Sequence, residues 1–316
     1  MKKIFLLLFS MAALASCKKD PVSTPSEPGV RYRDPIFSQV TFETVVNPDL
    51  AGMDIYQPAG DTASQRPVVI FVHGGAFVSG FKGQPAAVEF CTQMAKRGYV
   101  AVSISYYLKP SMTFVDSVEI LETVFKALSD TKESIRFLRH TIADQGNPYR
   151  IDEDRIYGAG NSAGGILVVQ AGYMDEDEVT TFPLDSIMAA NGGIEGTGLY
   201  QEHSSELAGV INLCGGIKST TWLDADEPPI VSFHGEIDNV VPYDCGTILS
   251  GLSGGTNVLR ICGSGSLHPV ATSVGIRSEL YSYPTLGHSP WVDQNGQPNS
   301  LMLEVIQKAA EFLYSL

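Results

Sequence analysis

The chain has 316 residues, with 35 acidic against 21 basic side chains and a formal net charge of −14 at pH 7. That balance argues against a nucleic-acid partner and suits a well-solvated surface, though it says nothing about fold. The length suffices for one large α/β domain with a substantial core. The five cysteines show no metal-ligand spacing, so neither a metal nor a cofactor is expected.

The N-terminus is set apart first. Lys2 and Lys3 precede an apolar run from Ile4 to Leu8 that continues through Phe9, Met11 and Leu14. A charged start and a short apolar stretch are the pattern of an export signal. A membrane span needs roughly 20 apolar residues, and this run is shorter. It ends in Leu14-Ala15-Ser16-Cys17, which resembles the bacterial lipobox. The resemblance implies a lipoprotein signal peptide over 1–16, acyl chains on Cys17, and a place in the bacterial cell envelope, periplasmic or surface-exposed. Two or more acyl chains hold a protein at a membrane stably. An ordinary cleaved signal peptide is the alternative. Residues 17–35, rich in Pro, Ser and charge, read as a flexible tether, and 36–316 as the folded domain.

Within that domain, 40–46 and 53–56 read as edge strands of a hairpin-like start. The β-branched run Val68-Val69-Ile70-Phe71-Val72 reads as a strand buried on both faces, and it ends in His73-Gly74-Gly75-Ala76-Phe77. Residues 86–97 have helical spacing stopped by Gly98, 99–105 form another strand, and 115–144 are helical as one or two pieces. In the later part, Ile135, Leu138 and Ile142 share a face, and Lys132, Glu133, Arg136 and Arg139 are expected to be mostly solvated. A strand and a helix then flank Ser162. Residues 175–206 are acidic, then rich in Gly, Asn and Ser, and longer than an ordinary connection; they read as an insertion over the site, with short helices around 184–190. Strands are expected at 207–213, 229–233 and 278–283, and helices at 244–249, 267–274 and 300–313. Alternating strands and helices predict an α/β fold with a mostly parallel sheet covered on both faces.

The chemistry-bearing stretch is Gly160-Asn161-Ser162-Ala163-Gly164, a Gly-x-Ser-x-Gly pattern between a strand and a helix. At such an elbow the serine is lifted clear of the sheet and set at a helix N-terminus, where developing negative charge is favoured. Gly251-Leu252-Ser253-Gly254-Gly255 also matches, but no buried strand leads into it, so Ser253 reads as a loop residue. Acyl transfer further needs a base, an acid that orients it, and donors for the oxyanion. His288, in Leu286-Gly287-His288-Ser289-Pro290-Trp291 beyond a late strand, is the candidate base. His140 and His203 read as surface residues, and His268 lies on a helix. Asp238, just past the strand that ends in His234-Gly235, is the candidate acid, ahead of Asp224 and Asp244; its bland reading is a turn-forming aspartate. His234 reads as packed or turn-bonded. The glycine turn after His73 exposes backbone amides that can serve as donors.

Taken in chain order, these four motifs resemble the α/β-hydrolase superfamily, most closely its carboxylesterases and hormone-sensitive-lipase-like esterases. The resemblance spans nearly all of 40–316. It implies Ser162 as nucleophile, Asp238 as acid, His288 as base, and an oxyanion hole from the amides of Gly75, Ala76 and Ala163. It also implies a small-molecule or glycan-linked ester substrate. Ala76 departs from the third glycine often found there, which keeps the amide but narrows the pocket. The long insertion puts substrate size in question. A serine exopeptidase and a non-catalytic module on the same fold are the rival readings. Cys245 and Cys262 can form a bridge in an exported protein, or stay free and buried; spacing does not choose between the two.

Overall fold

The computed structural model describes residues 29–47, 50–110, 114, 116–248 and 259–316. The expected signal peptide, Cys17 and Ser253 lie outside the described residues.

Eight strands form the main sheet: β1 (Val40–Val45), β2 (Met53–Pro58), β3 (Arg66–Val72), β4 (Val100–Ile104), β5 (Ile151–Asn161), β6 (Val210–Leu213), β8 (Ile230–Gly235) and β11 (Ser278–Tyr283). Their order is β1-β2-β4-β3-β5-β6-β8-β11. β2 runs antiparallel to both β1 and β4, and every other pair is parallel. A smaller antiparallel sheet joins β7 (Gly216–Ile217), β10 (Arg260–Gly263) and β9 (Cys245–Thr247). The helices are α1 (Pro85–Lys96), α2 (Ser117–Ala143), α3 (Ala163–Tyr173), α4 (Leu184–Asn191), α5 (Ser264–Val274) and α6 (Ser300–Tyr314).

Strand side chains alternate between faces, so each central strand feeds two cores. Val68, Ile70 and Val72 of β3 pack on one side with α2 and α3. Val69 and Phe71 pack on the other with α1 and α6. Burial on both faces explains why β3 is apolar at nearly every position. α2 is a single helix because neither Gly nor Pro interrupts 117–143. Asp116 caps it by accepting a hydrogen bond from the Glu119 amide at 3.0 Å.

Three expectations change. First, the polar flank of α2 is covered: Lys132, Glu133 and Arg136 are all buried. Residues 192–206 fold across them. Glu195 pairs with Lys132 at 2.7 Å and with Arg136, Leu199 N–H donates to Glu133 at 2.7 Å, and Arg139 donates to the Ser204 and Glu206 carbonyls. The insertion therefore spends most of its length clasping α2 and contributes little more than Leu184 to a cleft near Ser162. Second, the expected helix at 244–249 is strand β9, tied to β10 by a Cys245–Cys262 disulfide between directly opposed residues. Cys91 and Cys214 are free and buried. Third, the tether is shorter than 17–35. Tyr32 N–H bonds to the Arg97 carbonyl at 2.7 Å, Ile36 and Phe37 N–H bond to Lys96, and Arg31 pairs with Asp61 at 2.6 Å. The chain is thus docked on the end of α1 from about Val30 onward.

Candidate active site

The residues singled out by sequence sit just past the C-terminal ends of four parallel strands: His73 after β3, Ser162 after β5, Asp238 after β8 and His288 after β11. Open α/β sheets carry ligands at this edge, where loops from neighbouring strands converge.

Ser162 occupies a sharp turn with φ 56° and ψ −118°, a conformation that costs a non-glycine residue energy and persists only when its surroundings enforce it. Here its own N–H is held by the Leu213 carbonyl at 2.8 Å. The flanking glycines have no room for a side chain. A Cβ on Gly160 would stand 2.1 Å from the Gly164 carbonyl oxygen, and one on Gly164 would stand 2.0 Å from that of Val72. The helix α3 begins at the next residue, so its first amides and its dipole point at the serine.

Ser162 Oγ lies 2.8 Å from His288 Nε2, and His288 Nδ1 lies 2.7 Å from Asp238 Oδ2. The second oxygen of Asp238 accepts from the Val240 and Val241 amides at 2.8 and 2.9 Å, which fixes the carboxylate's orientation. Burial of Asp238 works against its charge. Hydrogen bonds from His234 and His288 outweigh that and hold the carboxyl well below the usual carboxylate range. For His288, burial lowers the imidazole's affinity for a proton. The Cys214 sulfur and the Asp238 carboxylate act the other way, and the net direction is up.

The other histidines fall as the sequence suggested. His234 is buried between Ser264 Oγ at 2.9 Å and the Val241 carbonyl at 3.1 Å, and so supports the Asp238 turn. His140 and His203 both reach Asp144, and His268 bonds to Ser278. Asp224 and Asp244 are exposed and make no contact with His288.

His73 is buried and acts on the glycine turn. Its ring stacks on Tyr106 with centroids 4.3 Å apart, Nδ1–H donates to the Gly74 carbonyl at 2.7 Å, and Tyr106 donates to the His73 carbonyl at 2.9 Å. The turn then passes through positive φ at Gly75, Ala76 and Phe77. Among the described residues, the amides of Gly75, Ala76 and Ala163 donate to no protein acceptor. Ala76, Ser162 and Ala163 line one cleft, with Phe77, Ile166 and Ile248. Those last three residues also line a neighbouring apolar cleft.

Sequence reasoning missed Asn161. Its Oδ1 accepts from the fully buried Trp291 indole at 2.9 Å and from Ser289 Oγ at 3.1 Å, with Cys214 Sγ at 3.7 Å. This side chain ties the serine turn to the histidine loop 130 residues away. As the variable position inside the motif it carries no signal by itself; a buried Trp three residues past His288 was the available hint.

Comparisons with known proteins agree on a class. The BD-FAE family model matches residues 53–216. The probable isoprenylcysteine alpha-carbonyl methylesterase ICMEL1 of Oryza sativa subsp. japonica is 36% identical over 112 residues, 35% of this chain and 22% of that protein. The isoprenylcysteine alpha-carbonyl methylesterase ICME of Arabidopsis thaliana is 26% identical over 221 residues, covering 61% of this chain and 47% of that one. Esterase LipQ of Mycobacterium tuberculosis is 27% identical over 210 residues, 60% and 46% respectively. The chain spans half or less of the length of these curated relatives. Among solved structures, Thermogutta terrifontis esterase 2 superposes with a TM-score of 0.61 at 21% identity, over 87% of this chain and 94% of that one. The fold is that of the α/β-hydrolases.

Proposed function

The chain belongs to the BD-FAE family, and from that premise we propose that it is a carboxylic ester hydrolase working through a serine acyl-enzyme. The observation that carries the reading is the continuous relay from Ser162 Oγ through His288 to Asp238, with contacts of 2.8 and 2.7 Å. His288 Nε2 takes the Ser162 proton as Oγ attacks the ester carbonyl. The oxyanion forms against the amides of Gly75, Ala76 and Ala163. His288 then gives its proton to the leaving alcohol, and water releases the acid by the same steps in reverse order. Removing a donor of this kind costs about 3 kcal/mol of transition-state stabilisation. Asp238 holds the imidazole in the needed tautomer and stabilises its cationic form.

Substitution Ser162→Ala is expected to abolish hydrolysis of 4-nitrophenyl acetate and labelling by a fluorophosphonate. Undiminished turnover would show that the nucleophile is misassigned. The same proposal sets the protein at the bacterial cell envelope, lipid-anchored through Cys17, with glycan-linked esters among its substrates. Cys17→Ala is expected to move the protein to the soluble fraction. Activity of the form lacking residues 1–17 on acetyl and feruloyl sugar esters, against peptide anilides, separates an esterase from an exopeptidase.

A further inference from the structure

Two histidines that take no part in the relay converge on one carboxylate oxygen. His140 stands in the last turn of α2 and Asp144 caps that helix, so the two side chains share a face. His203 reaches the same place from the insertion, 59 residues beyond Asp144 in the chain. His140 Nδ1 lies 2.9 Å from Asp144 Oδ2, and His203 Nε2 lies 3.2 Å from the same oxygen. All three atoms fall within 4.8 Å of one another. Tetrahedral zinc holds nitrogen and oxygen ligands at about 2.0–2.2 Å, which sets the ligand atoms about 3.3–3.6 Å apart. The two contacts to Asp144 need to open by only a few tenths of an ångström to admit the ion.

The imidazoles are held in place by the fold. Their side chains are 21% and 14% exposed, whereas that of Asp144 is 53% exposed, which leaves an open side for an ion and its water. The His140 ring packs on Tyr200 with centroids 4.6 Å apart, and the Tyr200 hydroxyl accepts from Asn47 at 2.9 Å. His203 N–H donates to the Tyr200 carbonyl at 3.0 Å, and Arg139 donates to the Ser204 carbonyl at 2.7 Å. Partners of this kind orient ligands before a metal arrives. Glu202 Oε1, 3.5 Å from His203 Nε2, stands within reach as a fourth ligand.

The local field also suits a cation. A helix C-terminus carries partial negative charge, and Asp144 and Glu202 add carboxylates. The charge of Arg139 is offset by Glu206, Glu153 and Asp154. Imidazole nitrogens beside carboxylate oxygens favour zinc over magnesium or calcium, which prefer shells made of oxygen. The place is remote from the catalytic edge of the sheet. β5 begins at Ile151, shortly past Asp144, and Ser162 follows its opposite end.

We infer that His140, Asp144 and His203 form a zinc site that fastens the clasp of residues 192–206 onto the C-terminal end of α2. The ion joins two segments that otherwise meet through hydrogen bonds and ion pairs, so its role is structural. The inference does not depend on the esterase reading.

The test is calorimetric titration of zinc into tag-free, chelator-treated protein, for wild type, His140→Gln and His203→Gln. Cys214, Asp238 and His288 are the other group with metal-ligating atoms in range among the described residues, so the difference between wild type and variants is what counts. Wild type is expected to bind one zinc ion about tenfold or more tighter than either variant can at this place. Zinc is also expected to slow amide hydrogen exchange across 196–206 by about tenfold or more in wild type and to leave both variants unchanged. Equal zinc binding by the three proteins overturns the inference. Equal protection by magnesium or calcium overturns the assignment to zinc. Should a variant fail to fold, exchange in wild type decides: slowing confined to the clasp and the end of α2 supports the site, and rates unchanged at saturating zinc overturn it.

Discussion

The bond network around Asn161 makes a prediction that can be worked through in numbers. Asn161→Ala removes the acceptor shared by Trp291 Nε1 at 2.9 Å and Ser289 Oγ at 3.1 Å. Each lost hydrogen bond costs about 0.5–1.5 kcal/mol net. Trp291 is fully buried, so its indole N–H is left with neither protein nor water, at about 1–3 kcal/mol. These ranges overlap for Trp291, and a total near 2–4 kcal/mol follows. At about 2–4 °C per kcal/mol for a chain of this class, the midpoint of thermal unfolding is expected to fall by about 4–16 °C. The kinetic effect follows from position. Ser289 is the neighbour of His288, so loosening it lets the imidazole drift from Ser162, and a displacement near 1 Å costs about 10²-fold. We expect kcat on 4-nitrophenyl acetate to fall about 10–100-fold, with a smaller change in KM. A double-mutant cycle with Trp291→Phe isolates the bond; a coupling of about 1–2 kcal/mol is expected. An unfolding midpoint within 2 °C of wild type, together with kcat within about twofold, would refute the claim that this side chain joins the two loops.

Other perturbations probe separate parts of the molecule. Because His288 must be neutral to accept a proton, activity should rise with pH. Its proton affinity is raised, so the inflection should lie above the ordinary histidine value. Asp238→Asn is expected to cut kcat about 10³–10⁴-fold and move the inflection to lower pH; an unchanged inflection would mean that Asp238 does not set the charge of the ring. Glu227 is half-buried, and burial first, then its neighbours Asp175, Glu178 and Asp224, push its carboxyl up to about 8. The folded state therefore binds the extra proton between the unfolded value near 4.5 and pH 8, so stability should fall as pH rises through that window. The slope is capped at about 1.4 kcal/mol per pH unit and is smaller for a group still half in water. Glu227→Gln should flatten the decline in melting temperature; an identical decline would assign it elsewhere. Cys245 and Cys262 close a loop of 17 residues in sequence separation, so Cys262→Ser is expected to cost about 2–3 kcal/mol in denaturant unfolding. Equal midpoints for the two proteins would show that the bridge adds no constraint.

What the sequence determined by itself was whatever neighbouring residues decide. The elbow at Ser162 follows from two glycines, a preceding apolar strand and a following apolar helix, all within about fifteen residues. The two-sided burial of β3 follows from an unbroken β-branched run, and the long α2 from the absence of any helix breaker. The motifs past the strand ends were legible for the same reason, since a parallel sheet carries each of them to the same edge. What only the tertiary structure decided depends on residues distant in the chain. Lys132, Glu133 and Arg136 look solvated in a local pattern and are buried because residues 192–206 bring them partners. The strand at 245–247 has too few residues to announce itself and exists because β10 pairs with it. Asn161 meets Trp291 through a contact that no spacing encodes. Local backbone preference acts over a turn or a strand. Burial and hydrogen-bond completion act over whatever the fold places side by side.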